Sequence, residues 1–369
     1  MKVLFYDLLP QHNAIDVEIT AAIERVRHRS FYILGPEVDA FEAEYSQFHA
    51  VPHTISVGNG FDALALTLRG LDIGPSDEVI TTTHTFIATV GAISASGATP
   101  ILVDCSADSL SIDPAAVEAA ITPRTKAIIA VHLHGRIAEV ETLGRIAERH
   151  GLALIEDAAQ AHGARIGAKR AGTFGIAGCF SFYPTKNLGA LGDGGAIITR
   201  DDALAHRLRL LRNYGSTAKY QHEIVGFNSR LDDIQAAILR AKLPKLDEWN
   251  YQRRSIAARY RSKLAGHVTI PATPFDPNAL DHAYHLFVVE TDRRDSIRAM
   301  LDQAGIQTAI HYPIPVHLQK AYEHLGYKVG SFPNAEAAAN RLISLPLFPG
   351  MPSEQIDWVA DSLIQALKS

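Results

Sequence analysis

The chain has 369 residues, 47% of them hydrophobic and 20% charged, with a formal net charge of −5. That composition is ordinary for a globular protein, and the acidic balance argues against a general nucleic-acid binder, which normally carries a basic one. The length fits two or three domains, or one large domain with a smaller appendage.

At the N-terminus, Met1 to Pro10 holds a short apolar stretch broken by Asp7. It lacks the long apolar core and small-residue cleavage site of a signal peptide. No run approaches the roughly 20 apolar residues that span a bilayer. The two cysteines, Cys105 and Cys179, sit in apolar strand-like runs and supply no disulfide framework. The expectation is a soluble, cytoplasmic protein with neither a membrane nor a nucleic-acid partner.

Residues 16 to 29 repeat apolar positions at helical spacing, with acids early and bases late, an order that complements the helix dipole. Gly35-Pro36 breaks the chain, and Glu37 to Phe48 reads as a second helix. From position 54 the pattern becomes strand, turn and helix in alternation. Strands are expected at Thr54–Val57, Glu78–Thr81, Ile101–Asp104, Ala127–Val131, Ala153–Glu156, Gly178–Phe182 and Ala196–Thr199. Helices are expected at Phe61–Leu68, at about Thr85–Ser96 and at Val140–His150. Such alternation predicts an α/β fold with a mostly parallel sheet covered by helices on both faces. A ligand then belongs beyond the carboxyl ends of the strands.

After about residue 245 the character changes, which divides the chain into a large unit (1–245) and a smaller α+β unit (246–369). Leu246–Leu264 reads as one long amphipathic helix. A strand is expected at Tyr284–Glu290, a helix at Arg294–Gln303, a strand at Ala309–Tyr312 and a closing helix at Ser353–Lys368.

Three features could carry chemistry. Gly58-Asn59-Gly60 joins a strand to a helix, where exposed N–H groups and the helix dipole make a phosphate cradle; the same residues also serve any tight turn. Asp157 ends an apolar strand, where it could cap the next helix or pair with a cationic ligand group. Gln160 lies three residues on. Lys186 follows a strand stopped by Pro184, in a loop with Gly189, Gly192, Gly194 and Gly195. A lysine with a lowered pKa forms Schiff bases with carbonyls. His132 and His134 are expected on one face of a strand, without partner ligands at supporting spacing, so no metal site is predicted.

Together these features resemble the pyridoxal phosphate (PLP) enzymes of aspartate-aminotransferase fold type I, and more narrowly the DegT/DnrJ/EryC1/StrS sugar aminotransferases. The resemblance runs from Phe31-Tyr-Ile-Leu-Gly-Pro-Glu-Val-Asp-Ala-Phe-Glu to Leu345-Pro-Leu-Phe-Pro-Gly-Met. Its most specific pieces are Ile155-Glu-Asp-Ala-Ala-Gln-Ala-His-Gly and Phe180-Ser-Phe-Tyr-Pro-Thr-Lys-Asn-Leu-Gly. It implies that Lys186 forms the internal aldimine and shuttles the proton, and that Asp157 holds the pyridinium nitrogen. Gln160 would lie near the ring's phenolic oxygen, and Ser181 with the backbone around Gly60 would bind the phosphate. Phe86 matches the aromatic that stacks on the ring, although alone it reads as core. Asn228 matches an asparagine donated by the neighbouring subunit, which implies a homodimer with a shared active site. The segment with His311, Tyr312 and His317 resembles the one lining the sugar-nucleotide side, and Tyr183 could contact the sugar or simply pack.

Three departures stand out. Phe61 replaces the usual threonine, removing a phosphate-binding hydroxyl and resembling the branch that aminates 3-keto-6-deoxy nucleotide sugars. Leu133-His-Gly-Arg136 replaces Leu-Tyr-Gly-Gln, so Arg136 either meets a substrate charge or is solvated. Dehydratase relatives carry histidine at the Schiff-base position, whereas Lys186 is intact. The resemblance therefore implies amino transfer from glutamate to a nucleotide-linked (dTDP-linked) 3-keto-6-deoxyhexose, with pyridoxamine phosphate as intermediate. A 4-keto nucleotide sugar or a cyclitol ketone is the alternative acceptor, and a catalytically silent nucleotide-sugar-binding regulator the alternative of another class.

Overall fold

The computed structural model describes residues 1–271 and 279–369. The chain opens with helices α1 (Leu9–Asn13), α2 (Asp16–Arg29) and α3 (Pro36–His49). Strand and helix then alternate through β1 (His53–Val57), α4 (Gly60–Gly70), β2 (Glu78–Thr82), α5 (Ile87–Ser96), β3 (Thr99–Val103) and α6 (Pro114–Ala120). The series continues with β4 (Thr125–Val131), α7 (Val140–His150) and β5 (Ala153–Asp157). A ribbon of β6 (Arg165–Ile166) and β7 (Lys169–Arg170) precedes β8 (Ala177–Ser181) and β9 (Gly195–Thr199). Next come α8 (Asp202–Leu211) and a second ribbon, β10 (Ser216–Ala218) with β11 (Gln221–His222).

Seven strands form one sheet in the order β1-β9-β8-β5-β4-β2-β3. All run parallel except β9, which pairs antiparallel with both β1 and β8. Side chains alternate across it with the period of two that a pleated strand imposes. Ile128, Phe180 and Ile198 face one layer with Phe41 and Tyr45 of α3 and Leu143 and Ile146 of α7. Ile129, Cys179 and Ile197 face the other, with Leu64 and Leu68 of α4, Ile93 of α5 and Leu208 of α8. Both faces are covered, which is why these strands read as continuous apolar runs rather than alternating ones. Both cysteines are free and buried.

The C-terminal part comprises α9 (Asp233–Lys242), α10 (Leu246–Leu264), β12 (Phe287–Glu290), α11 (Arg294–Gln303), α12 (Pro333–Arg341), β13 (Leu342–Leu345) and α13 (Ser353–Lys368). A separate core gathers Tyr260, Leu264, Phe287, Leu301, Ile343 and Leu363. Val3 joins that core and bridges to Ile306, so the first residues of the chain pack with its last third.

Several local expectations are corrected. Ala309–Tyr312 forms no strand and keeps a single bridge, Ala309 to Ser344, because Pro313 and Pro315 lack the N–H groups a ladder needs. The strand opposite β12 is instead β13, four residues that follow α12 without a turn residue between them. Helix α5 starts at Ile87, and Phe86 is its extended N-cap rather than a helical residue. His132 and His134 lie beyond the end of β4, with His134 in a tight turn at φ 61°. Among the described residues no cluster of metal-ligating side chains occurs, and no helix is long and apolar enough to cross a membrane.

Candidate active site

A cleft of about 450 Å³ opens beyond the carboxyl ends of β1, β4, β5 and β8. Its lining includes Gly60, Phe61, Phe86, Asp157, Gln160, Ser181, Tyr183, Lys186, His311 and Tyr312. The strand order explains the meeting. β8 and β5 are neighbours, and β9 alone separates β8 from β1, so the ends of three distant sequence segments converge.

Lys186 is half-buried at the cleft, and desolvation lowers its pKa to about 8, with Asp157 pulling the other way. Asp157 is 8% exposed. Its Oδ2 accepts from Thr89 Oγ1 at 2.7 Å, and Thr85 Oγ1 donates in turn to Thr89 at 2.8 Å. Its Oδ1 accepts from the Ala159 N–H at 3.2 Å. The carboxylate is thus aimed by two donors, with lone pairs left for a ligand. Gln160 is fixed at both ends of its amide: Oε1 accepts from the His134 N–H at 2.6 Å and Nε2 donates to the Tyr312 hydroxyl at 3.1 Å. Burial raises the Tyr312 phenol, keeping it protonated.

The phosphate end is built from backbone. Asn59 caps α4, its side chain accepting from the Asp62 N–H at 2.9 Å, and the helix start at Asn59, Gly60 and Phe61 lines the cleft. A Cβ on Gly60 would stand 2.6 Å from the Cβ of Ser181, so glycine is what lets the helix start lie beside that hydroxyl. At the mouth, Phe86 and Tyr183 are each about half exposed, and the Phe86 ring lies 5.4 Å from that of Tyr312. Under the floor, Glu156 accepts from the Gly172, Phe174 and Gly175 N–H groups and from His132 Nε2 at 2.8 Å. His132 Nδ1 accepts from the Ala138 N–H, so both sides of this ring are used structurally.

Two sequence-predicted residues lie outside the cleft. Asn228 is exposed, with its backbone bridged to Asn213. His317 is buried behind the wall, with Nδ1 2.9 Å from Thr83 Oγ1 and Nε2 3.1 Å from Glu336 Oε1. It therefore holds the segment that carries His311 and does not itself line the cleft. His311 does line it; burial and the nearby Lys186 lower its pKa to about 4, and its Nδ1 lies 2.8 Å from Ser344 Oγ. Arg136 is half-buried at a separate small pocket with Arg261 and His282. Sequence reasoning missed Thr85, Thr89 and His285. The two threonines are spaced i, i+4, with Thr85 directly before Phe86 and Thr89 three residues after it, a pattern the sequence itself shows.

A ring stacked on Phe86, a phosphate at the glycine-built helix start and an aldehyde at Lys186 all find fitting partners here. Fold and site together define a PLP-dependent transferase of fold type I. A sequence profile of the DegT/DnrJ/EryC1/StrS aminotransferase family matches residues 13–364. The chain is 49% identical over 364 residues to a dTDP-3-amino-3,4,6-trideoxy-alpha-D-glucose transaminase of Streptomyces venezuelae, covering 98% of this chain and 95% of that one. It is 50% identical to the erythromycin biosynthesis sensory transduction protein EryC1 of Saccharopolyspora erythraea, covering 98% and 99%. The solved structure of S. venezuelae DesV in complex with a ketimine intermediate superposes with a TM-score of 0.97 at 48% identity, covering 100% and 99%. The chain belongs to this family and is a PLP-dependent aminotransferase.

Proposed function

We propose that this enzyme moves an amino group from L-glutamate to the ketone of a dTDP-linked 3-keto-6-deoxyhexose, in deoxyaminosugar biosynthesis. The single observation that carries the amino-transfer chemistry is the half-buried amine of Lys186, its pKa lowered, sharing a cleft with the anchored carboxylate of Asp157. The choice of acceptor is supported by the substrate in the name of the S. venezuelae relative and by the apolar Phe61 at the helix start. Bound PLP supplies an electron sink and carries the amino group between donor and acceptor.

The protein's part follows from the geometry. With a pKa of about 8, Lys186 is partly neutral near physiological pH, so it takes a proton from the donor's Cα and later returns one to the acceptor carbon. Asp157, oriented by Thr89, favours a proton on the pyridine nitrogen and keeps the ring electron-poor. Gln160 retains one amide hydrogen for a ligand oxygen. The helix start at Gly60 and the Ser181 hydroxyl hold the phosphate end. Phe86 and Tyr183 wall the mouth and limit water entry.

The same reading takes residues 1–245 as the cofactor-binding unit and 246–369 as the smaller one, working in the cytoplasm as a homodimer. The exposure of Asn228, beside the exposed Val225 and Phe227, supports its reaching a partner's cleft. A regulatory role, in keeping with the name of the S. erythraea relative, is disfavoured by the intact Lys186, Asp157, Gln160 and Ser181 set.

The test offers glutamate with 3-keto and 4-keto dTDP-6-deoxyhexoses side by side, and a cyclitol ketone. Amine formed on the 3-keto sugar is expected. Transfer only to a 4-keto sugar or a cyclitol overturns the acceptor, and a protein whose visible band ignores glutamate overturns the transferase.

A further inference from the structure

The loop that carries Lys186 is gripped from behind by two helices. Asn187 Nδ2 donates to Asn250 Oδ1 of α10 at 2.8 Å and to the Ala283 carbonyl at 2.9 Å. The Leu191 N–H donates to Gln235 Oε1 of α9 at 2.8 Å. Between them, the Gly189 carbonyl accepts from Lys242 Nζ of α9 at 2.8 Å, and the same ammonium lies 3.1 Å from His12 Nε2 of α1. Gln235 and Lys242 are seven residues apart, two helical turns, and so project from one face of α9.

Lys242 is only 3% exposed. Burying an ammonium is unfavourable, and a long apolar side chain would fill the same space without that penalty. Burial indeed lowers its pKa to about 8, the same direction as for Lys186. The ion is matched to a particular acceptor. Gly189 is where the loop doubles back, and a Cβ there would run into the Pro184 carbonyl on the opposite limb. Its own carbonyl is therefore held in a fixed direction, three residues from the catalytic amine.

We propose that Lys242 is a positioning residue for catalysis: by holding the Gly189 carbonyl it sets the angle at which Lys186 Nζ meets the cofactor and the substrate carbon. The proposal rests on Lys186 being the catalytic amine. Loss of the grip leaves the phosphate anchor and the mouth intact, so chemistry suffers and substrate binding does not.

The test compares wild type with Lys242→Met and Lys242→Arg, each loaded with PLP. It reads thermal stability of the PLP-free protein, the pH midpoint of the visible band, kcat and KM. For Lys242→Met, kcat is expected to fall about 10- to 100-fold with KM little changed, the cost of a small misplacement at the reacting atoms. Its visible-band midpoint is expected to move by about half a pH unit, and Lys242→Arg, which keeps a charged donor, is expected to recover part of kcat. An unmoved midpoint with unchanged kcat, or a kcat loss that only tracks the fraction folded, overturns the proposal. Should Lys242→Met fail to fold, Lys242→Arg and Gln235→Met are read by the same midpoint: a shift supports the grip and no shift overturns it. A wild-type protein with no visible band overturns the cofactor reading and this proposal with it.

Discussion

The floor and the mouth of the cleft are built on opposite principles. On the floor, Asp157, Gln160 and Glu156 each have named donors or acceptors and little exposure. At the mouth, Phe61, Phe86 and Tyr183 are exposed rings with no hydrogen bond between them. The floor is rigid before any ligand arrives, as efficient proton transfer requires. The mouth offers stacking surface and a single hydroxyl, on Tyr183, so a sugar nucleotide must find most of its polar contacts elsewhere.

The sharpest way to break this contrast is Lys186→Ala. Turnover is expected to fall by more than about 10³-fold with loss of the visible band, read by amine formation and absorbance. Residual turnover at wild-type level would remove the floor's chemical role.

The next lever is acid. His49, His134, His162 and His285 are buried and His282 is half-buried, and desolvation lowers all their pKa values, to about 3 for His134 and His162. Unfolded, they protonate near 6.5. Between those values the unfolded chain holds the extra protons, so stability is lost as pH falls through and below 6.5. Each fully shifted histidine contributes a loss of about 1.4 kcal/mol per pH unit. A denaturant midpoint at pH 5.5 well below that at pH 7.5 is expected; equal midpoints would contradict the neutral, buried assignment.

Gly60→Ala tests where floor meets cradle. The added Cβ collides with Ser181, so PLP affinity is expected to fall about 10-fold or more, measured by equilibrium titration, with the apo fold retained. The mouth should give the smallest response. Tyr183→Phe is expected to raise the sugar KM by no more than a few-fold, about 1 kcal/mol or less, and to leave the glutamate half-reaction unchanged. A large loss in that half-reaction would place Tyr183 on the floor instead.

Much of the large sheet was legible because strands buried on both faces leave uninterrupted apolar runs, as in Ala127–Val131 and Ala196–Thr199. The bounds of α2, α7, α10, α11 and α13 were equally readable from their periodicity. What periodicity could not show was tertiary choice. Ala309–Tyr312 has strand composition, yet two prolines and the pull of Ser344 on His311 turn it toward the cleft. β13 was hidden because nothing punctuates the passage from α12. Within the site, residues at strand ends were readable from their position, whereas the Thr85–Thr89 support for Asp157 depended on a helix beginning two residues later than its pattern suggested. His317 shows the reverse error: a histidine in a promising motif spent on holding the wall.

The crowding at Gly60 and Gly195, where one added carbon meets Ser181 or the Asn59 carbonyl, has a genetic corollary. An anchor written largely in main-chain atoms loses only the Ser181 hydroxyl and the Asn59 cap when polar side chains are trimmed, so an alanine survey of polar residues would find those two and miss the close approach itself. Saturation libraries should instead show two silent columns, at 60 and 195, where every larger residue is missing among the survivors.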